Sequence, residues 1–415
     1  MIRNGFLKPN DFLAQCWTAV LAGIDLLAVS ANCSNDTSSF LPPLLTWLVN
    51  PAAYAALPGG NGPLAAVVCA GWATASRVHS QLLLLLESLS GVRVLLLSLA
   101  TGRNPEQLAL LFEGVEVVVC SVDVLEDLSR CGHVPLSRLC HLVFFEACNL
   151  LARLPQQMEM VVSSFERVVS LREARGVHAP HQCILLAQQW TPALADLTKR
   201  LCVHEPYMVF ADWLQAALYG GVSLDVHICH EEKRSEELRQ FITSQDQQVQ
   251  INGLIFANDN LQARQLHEEL CSFDLPCLLA LEPEEQQQAQ LQWASEHNSS
   301  MIMIVTDDSS LRLDVSNATM VIHYTFPDSF NVLSQRLACL RDNFDSMIPR
   351  NDRIGKAKPS SLLLLSEECM AKAVGLLSHL VLAGITLPNS LQQLISAGSA
   401  THSEDRKHRP LCTNA

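Results

Sequence analysis

The chain has 415 residues, of which 49% are hydrophobic and 17% charged, and its 28 Lys and Arg residues against 42 Asp and Glu residues give a net charge of −14. This composition excludes a disordered or fibrous chain, and the length exceeds what one hydrophobic core usually supports, so two domains are expected. The acidity argues against a protein that holds nucleic acid by bulk positive charge.

The cysteines indicate the redox environment. Fifteen occur, an odd number, several of them inside apolar runs, and no C-x-x-C pair is present. This pattern is typical of neither a disulfide framework nor a zinc ribbon, so we expect a reducing, cytoplasmic environment and no metal site. Charges interrupt the apolar stretches, as Glu87 and Arg93 interrupt the leucine-rich run at 81–99, so we expect no membrane-spanning segment.

Short apolar runs recur along the chain, separated by longer segments with helical periodicity. In the N-terminal half, strands are predicted at 26–30, 66–69, 92–99, 115–121, 142–145 and 183–186. In the C-terminal half, strands are predicted at 222–229, 251–257, 277–281, 301–305, 320–324 and 361–365. Strands that are apolar throughout are buried on both faces, which requires helices above and below a parallel sheet. The pattern therefore predicts an α/β fold with two tandem doubly wound parallel-sheet domains.

The two series of strands also set the predicted domain boundaries. The second series begins just after Gly220 and Gly221, and the last residues of the chain are polar. We expect an N-terminal domain at 1–205, an interdomain linker at 206–221, a C-terminal domain at 222–396 and a disordered tail at 397–415.

The first strand end with candidate binding residues follows the strand at 26–30 and carries Ser34, Asp36 and Thr37. Ligands of open α/β sheets bind beyond the carboxyl ends of strands, so a phosphate-binding loop would lie here. Such a loop uses glycine backbone N–H groups, a lysine and a hydroxyl that binds Mg²⁺. Thr37 supplies the hydroxyl, but Asp36 stands where the lysine is needed, and its charge would repel a triphosphate. An ordinary polar turn that Ser34 or Asp36 caps is the simpler interpretation.

Two further strand ends carry acidic residues. Glu146 follows the strand at 142–145, where carboxylates can hold Mg²⁺ and polarise an attacking water. A single carboxylate can act as a base, but it cannot easily hold the metal as well. Thr306 and Asp307 follow a buried strand of the second series, and a helix N-cap formed by Asp307 or Asp308 is the simpler interpretation there.

The order and spacing of these segments resemble the core of the DEAD-box RNA helicases from about Gly5 to Leu394. The clearest framework matches are GFLKP at 5–9, LIFAN at 254–258 and HYTFP at 323–327. This resemblance implies tandem RecA-like domains, binding of ATP and Mg²⁺, and single-stranded RNA held across both domains. By position, it assigns Glu146 and Arg336 to catalysis, Ser34, Asp36, Thr37 and Asp314 to nucleotide binding, and Thr306 and Asp307 to RNA binding.

Several positions depart from the pattern of that family. The departures are Leu13 at the adenine-recognising glutamine, Asp36 at the lysine, Phe145 at the metal-binding aspartate, Val124 and Leu311 at two arginines of the RNA-facing motifs, and Cys339 and Asp342 at two arginines of the sixth motif. The sixth motif places arginines at i, i+3 and i+6 on one helix face toward the γ-phosphate, and Arg336 is the one that remains. Losing such an arginine can lower the rate by about 10³–10⁵-fold. We therefore expect ATP hydrolysis to be lost and no cofactor to be bound.

Few basic residues lie near the turns that would face RNA. Arg77, Arg103 and Arg312 are the nearest to those turns. Each is also explained as a solvated surface arginine. Together with the acidic composition, this predicts an RNA affinity comparable to non-specific binding.

Three hypotheses for the function remain open. The first is a pseudoenzyme: a helicase-like scaffold for RNA–protein assemblies, with protein partners and weak or indirect RNA contact. Its eroded motifs are similar to those of the Yb-type, Tudor-domain-containing helicase-like proteins of germline piRNA pathways, which implies cytoplasmic, perinuclear germ granules and transposon silencing. The second is an ATP-dependent RNA helicase whose unusual site uses Thr37, Glu146 and Asp307 with ATP and Mg²⁺. The third is a fragment or decaying duplicate without a selected activity.

Overall fold

The computed structural model describes residues 9–31, 37–87, 91–98, 105–131, 136–202, 205–244, 251–275, 277–295, 300–345, 358–366 and 369–382, together with residues 385, 387 and 391. Ser34, Asp36, Arg103 and the predicted tail at 397–415 therefore lie outside the described residues. The chain divides into two compact units, Met1–Ala211 and Asp212–Ala415. Each unit is built around one parallel sheet.

The first unit alternates strands with helices along its described residues. Its strands are β1 Leu26–Val29, β2 Ala65–Cys69, β3 Val94–Leu96, β4 Val117–Ser121, β5 His141–Phe145, β6 Gln182–Ala187 and β7 Tyr207–Phe210. Its helices are α1 Asp11–Leu21, α2 Leu41–Leu48, α3 Trp72–Leu86, α4 Pro105–Glu113, α5 Val122–Arg130, α6 Ala147–Arg153, α7 Pro155–Ala174 and α8 Pro192–Leu201. The described strands form a seven-stranded sheet in the order β3-β4-β2-β5-β6-β1-β7, and every pairing is parallel. All carboxyl ends of the strands therefore lie along one edge.

Alternating side chains of the buried strands cover both faces of this sheet. In β1, Leu27 and Val29 enter one apolar cluster, whereas Leu26 and Ala28 enter another on the opposite face. Because apolar groups pack on both faces, β1, β2, β4 and β5 are buried along their whole length. The doubly wound arrangement that the apolar runs predict is confirmed for this unit.

The second unit repeats the design with fewer described strands. Its elements are α9 Trp213–Tyr219, β8 Ser223–Ile228, α10 Arg234–Ser244, β9 Asn252–Phe256, α11 Asn260–Ser272, β10 Leu278–Leu279, α12 Pro283–Ser295, β11 Met301–Val305, α13 Asp307–Leu313, β12 Met320–His323, α14 Phe330–Leu337, β13 Ser360–Leu365 and α15 Met370–Leu382. The described strands pair in parallel in the order β10-β11-β9-β12-β13-β8. The predicted fold class, two tandem doubly wound parallel-sheet domains, is thus confirmed. Along the described residues, no helix has the length and apolar character that crossing a bilayer would require.

The segment 206–221, predicted as an interdomain linker, contains two regular elements. β7 pairs with β1 at the edge of the first sheet, and α9 belongs to the second unit, where the backbone N–H of Trp213 donates to Oγ of Ser334 at 2.8 Å. β7 is a partly exposed edge strand, although its residues, YMVF, are apolar throughout. Gly220 approaches Phe344 so closely that a Cβ on residue 220 would lie 2.5 Å from the ring. The division between the units, after Ala211, falls within this segment.

A buried polar group closes the amino end of the first sheet. His141 is fully buried at the start of β5, with Nε2 2.8 Å from the Tyr54 hydroxyl and Nδ1 3.1 Å from Oε1 of Gln182. Gln182 in turn donates from Nε2 to the carbonyl oxygens of Val20 and Ile24. Because Oε1 of Gln182 can only accept, Nδ1 carries the proton and Nε2 accepts from Tyr54. Burial lowers the pKa of His141 to about 4, so the ring is neutral at pH 7.

The neutral state of His141 predicts acid sensitivity. Between about pH 6.5 and pH 4, the unfolded chain binds a proton at this residue that the folded chain excludes, so the free energy of unfolding falls as the pH decreases through that window. We expect His141→Asn to lose about 2 kcal/mol less stability than the wild type between pH 7 and pH 5, measured by urea unfolding. His178→Asn, at an exposed histidine, should keep the wild-type pH dependence. Identical pH dependence in His141→Asn and the wild type would contradict this account.

Candidate functional site

Thr37 is the member of the predicted phosphate loop that lies within the described residues. Its side chain is buried, and its Oγ1 donates to Oε1 of Gln81 on α3 at 2.6 Å. Its carbonyl oxygen accepts the backbone N–H groups of Phe40 and Leu41 at the start of α2. The N-cap of α2 is Phe40. The Thr37 hydroxyl therefore ties the turn before α2 to α3.

Glu146 lies at the carboxyl end of β5 in a strained backbone conformation. Its φ of 62° and ψ of 50° are left-handed, which costs a residue with a side chain about 1–2 kcal/mol. The carboxylate accepts from Nδ2 of Asn149 at 3.0 Å, and Nη2 of Arg77 lies 3.7 Å from Oε1. A guanidinium at this distance offsets the negative charge, so a divalent cation at Glu146 would meet a positive neighbour.

The thiols around Glu146 also make internal contacts. Cys148 donates from Sγ to the carbonyl oxygen of Gln189 at 3.1 Å, which links α6 to the turn after β6. Cys69, at the end of β2, has a pKa of about 12, raised by burial and further by the charge of Glu146, while Arg77 opposes the shift. Burial likewise raises the pKa of Cys148. Both thiols are therefore protonated near pH 7 and are poor nucleophiles.

In the second unit, Arg336 and Asp307 form a bidentate ion pair. Arg336 lies on α14 and is 4% exposed. Its Nε and Nη2 donate to the two carboxylate oxygens of Asp307 at 2.7 and 2.9 Å, and its Nη1 donates to the carbonyl oxygen of Thr325 at 2.8 Å. The guanidinium carbon lies 5.0 Å from the centre of the Phe256 ring. The structure thus brings together a residue assigned to catalysis and one assigned to RNA binding, each as the partner of the other.

His323 continues this network into the sheet. It is fully buried on β12, and burial together with the charge of Arg336 lowers its pKa well below the usual value, so the ring is neutral. Its Nδ1 lies 3.4 Å from Nη1 of Arg336, and its Nε2 lies 3.0 Å from Oγ of Ser361 on β13. Because a guanidinium can only donate, Nδ1 accepts and Nε2–H donates to Ser361. Asp307, Arg336, His323 and Ser361 therefore connect α13, α14, β12 and β13, and we call these four side chains the carboxyl-edge network.

Thr306, rather than Asp307 or Asp308, is the N-cap of α13. Its Oγ1 accepts the backbone N–H of Ser309 at 3.3 Å, and Oγ of Ser309 accepts the backbone N–H of Thr306 at 2.9 Å. The expected aspartate cap is wrong because this reciprocal pair satisfies the first free N–H groups of the helix. At the other end, Asp314 ends α13 with a φ of 44°, and its carboxylate, 81% exposed, accepts from Nη2 of Arg341 at 3.1 Å.

The positions of the other two sixth-motif arginines hold side chains of different character. The α-helix ends at Leu337, and a 3₁₀ helix at Ala338–Asn343 contains both positions. Cys339 is buried in the apolar core of the second unit, where its pKa rises to about 12. Asp342 accepts a hydrogen bond from the Ser316 hydroxyl. Neither side chain takes the place of a cation.

A cavity of about 400 Å³ opens beyond the carboxyl ends of β2 and β4. Its lining includes Trp72, Ser98, Ser121 and Asp123, and Trp72 is 52% exposed. Val124, at the position of a family arginine, lines the cavity and is 3% exposed. Among the described lining residues, Asp123 is the one that carries a charged side chain.

Two residues on α3 complete the first-unit site and were not assigned to it from the sequence. The sequence predicts Arg77 only as a residue near an RNA-facing turn or as a solvated arginine, and it does not assign Gln81. Their spacing could have indicated a shared site, because residues four apart on a helix lie on the same face. From that helix, Arg77 contacts Glu146 and Gln81 contacts Thr37.

The chain is similar to known proteins over most of its length. No protein-family model matches it. Human TDRD12, named as an ATP-dependent RNA helicase, is 31% identical over 99% of this chain and 35% of its own length. DEAD-box ATP-dependent RNA helicase 20 of rice (Oryza sativa subsp. japonica) is 25% identical over 81% of this chain and 64% of its own length, and helicase 30 of Arabidopsis thaliana is 24% identical over 95% and 62%. This chain thus spans about a third of TDRD12 and less than two thirds of the two plant helicases.

Two solved structures are also similar to this chain. The RNA helicase Prp28 from Chaetomium thermophilum, bound to ADP, has a TM-score of 0.45 at 17% identity and covers 94% of this chain and 86% of its own. A DEAD box protein from Methanococcus jannaschii has a TM-score of 0.42 at 16% identity and covers 93% of this chain and 94% of its own. The resemblance to the DEAD-box RNA helicases that the sequence predicts is confirmed by the sequence matches, and the two sheets are RecA-like.

The geometry of Arg336 predicts that a conservative substitution will be costly. A lysine cannot make the forked contact with Asp307, so Arg336→Lys should lower the free energy of unfolding by about 2–3 kcal/mol, measured by urea denaturation. Arg341→Lys is the matched control, because Asp314 is largely exposed, and it should cost less than about 1 kcal/mol. Equal losses from the two substitutions would contradict a structural role specific to Arg336.

Proposed function

We propose that this chain is a helicase-like scaffold for RNA–protein assemblies that has lost ATP hydrolysis. The observation that carries the proposal is the state of Arg336, the one sixth-motif arginine that remains. Its donors go to Asp307 and to the carbonyl oxygen of Thr325, and it is 4% exposed. A guanidinium held in this way is not free to stabilise charge on a transferring phosphate, a contribution of about 10³–10⁵ in rate in phosphoryl-transfer enzymes.

The donor set that Mg²⁺ and ATP would require is also altered in the first unit. The Thr37 hydroxyl, which would bind Mg²⁺ in such a site, donates to Gln81, and Arg77 lies beside Glu146. Phe145 occupies the position of the metal-binding aspartate. Among the described residues, these side chains do not fit a Mg²⁺–nucleotide complex.

Weak or indirect RNA contact is part of the proposal. The cavity at the carboxyl ends of β2 and β4 carries Asp123 without a described basic partner in its lining, and the net charge of the chain is −14. Both features disfavour phosphate contacts, which supply most of non-specific RNA affinity. Protein partners would then supply the specificity of the assembly.

The cellular setting that we propose is cytoplasmic, in perinuclear germ granules that silence transposons through piRNAs. It is supported by the resemblance of the eroded motifs to Tudor-domain-containing helicase-like proteins and by the similarity to human TDRD12 over 99% of this chain. Both units keep continuous apolar cores, which favours a maintained fold over a decaying duplicate.

An ATP-dependent RNA helicase is the second candidate. It is favoured by Glu146, which stays at the carboxyl end of β5, and by Cys148, which links that turn to the segment after β6. The similar proteins named above are helicases by name. These features preserve the backbone framework of the predicted site, but Asp36 replaces the family's lysine, and Cys339 and Asp342 replace two arginines of the sixth motif.

A titration with a fluorescent ATP analogue separates the two candidates. With Mg²⁺, and with or without a single-stranded RNA, we expect no saturable binding at the highest soluble protein concentration, because the Thr37 and Glu146 side chains are engaged within the fold. Thr37→Ala should therefore leave the titration unchanged. Saturable binding that Thr37→Ala weakens would favour the helicase, as would RNA-stimulated phosphate release that Glu146→Gln abolishes.

A further inference from the structure

Three side chains with metal-binding atoms converge on one side of the second unit. His267 and Cys271 lie four residues apart on α11, and Cys277 immediately precedes β10. The ligand atoms of all three lie within 4.8 Å of one another. In the part of the chain that the structure describes, this is the only such group of three or more His, Cys, Asp or Glu side chains.

The separations match what a tetrahedral ion requires. With Zn–S near 2.3 Å and Zn–N near 2.0–2.1 Å, neighbouring ligands of a tetrahedral zinc lie roughly 3.5–3.8 Å apart. Sγ of Cys271 lies 3.8 Å from Nε2 of His267. One ring nitrogen of His267 and the two sulfurs all lie within 4.8 Å of one another, so closing the site requires only small side-chain movements.

We propose that His267, Cys271 and Cys277 bind a thiolate-preferring divalent cation of the zinc type. Two sulfurs and an imidazole nitrogen select such an ion over Mg²⁺ or Ca²⁺, which prefer oxygen ligands. Three protein ligands leave a fourth position for water or an added ligand. The cation enters from the side of Cys271, because that thiol is exposed while Cys277 is half-buried.

A hydrogen bond holds the imidazole close to both sulfurs. Nε2 of His267 lies 3.0 Å from the carbonyl oxygen of Cys277. The contact places the imidazole ring beside the segment that supplies the third ligand, so the side chains lose little conformational freedom when the cation binds. Because a carbonyl oxygen only accepts, Nε2 carries the imidazole proton in this bond. Coordination through Nε2 breaks the bond and requires that proton to move to Nδ1, and both thiols give up their protons as the ion binds.

The site is separate from the proposed function. Cys277 precedes β10, so it lies at the amino end of the parallel sheet, whereas Asp307 follows the carboxyl end of β11. Loss of the cation site would therefore leave the account of the carboxyl-edge network unchanged, and the reverse also holds.

Cobalt titration of the reduced full-length chain tests the proposal. We expect one Co²⁺ per chain, a thiolate-to-cobalt charge-transfer band in the near ultraviolet, and loss of that band when Zn²⁺ is added. Cys271→Ser should lower the affinity by more than about tenfold, since it removes a direct ligand. Cys131→Ser, at an exposed thiol in the first unit, is the matched control and should leave the titration unchanged.

His267→Gln provides a second readout that does not depend on the thiol variant folding. It keeps both sulfurs, so the charge-transfer band should persist while the affinity falls. Absence of the band in the wild type overturns the proposal. Equal weakening by Cys131→Ser also overturns it.

Discussion

The ion pair between Arg336 and Asp307 is the interaction on which the carboxyl edge of the second sheet depends. A guanidinium that is 4% exposed carries a large desolvation cost unless its charge and its donors are matched. Both carboxylate oxygens of Asp307 accept hydrogen bonds from Arg336. The neutral ring of His323 contacts Arg336 through Nδ1 and Ser361 through Nε2. Two helices and two strands are therefore joined by polar contacts at the edge where a ligand would otherwise bind.

In the first unit, other polar side chains make similar contacts at the carboxyl ends of the strands. The Thr37 hydroxyl donates to Gln81, Arg77 lies beside Glu146, and Cys148 donates to the turn after β6. Among the described residues at this edge, these polar side chains contact other groups of the protein. Both apolar layers of the sheet remain continuous. A RecA-like core can thus keep its fold while its site chemistry changes, because packing and catalysis depend on different residues.

Local pattern predicted the strands well because most of them are apolar throughout. β7 was not predicted, although its residues YMVF are apolar throughout, because this short run lies in the segment interpreted as the interdomain linker. The pairing of Arg336 with Asp307 spans 29 residues, and the pairing of Arg77 with Glu146 joins two different elements, so neither follows from periodicity. The end of α14 at Leu337 was also missed, because helical spacing alone does not say where an α-helix tightens to 3₁₀.

A double-mutant cycle between Asp307 and Arg336 tests the central claim most directly. The free energies of unfolding of Asp307→Ala, Arg336→Ala, the double variant and the wild type give the coupling between the two side chains. We expect a coupling of about 2 kcal/mol or more, clearly larger than that of the exposed pair Asp314–Arg341 measured in the same way. A coupling below about 0.5 kcal/mol would contradict the claim that Arg336 serves the fold.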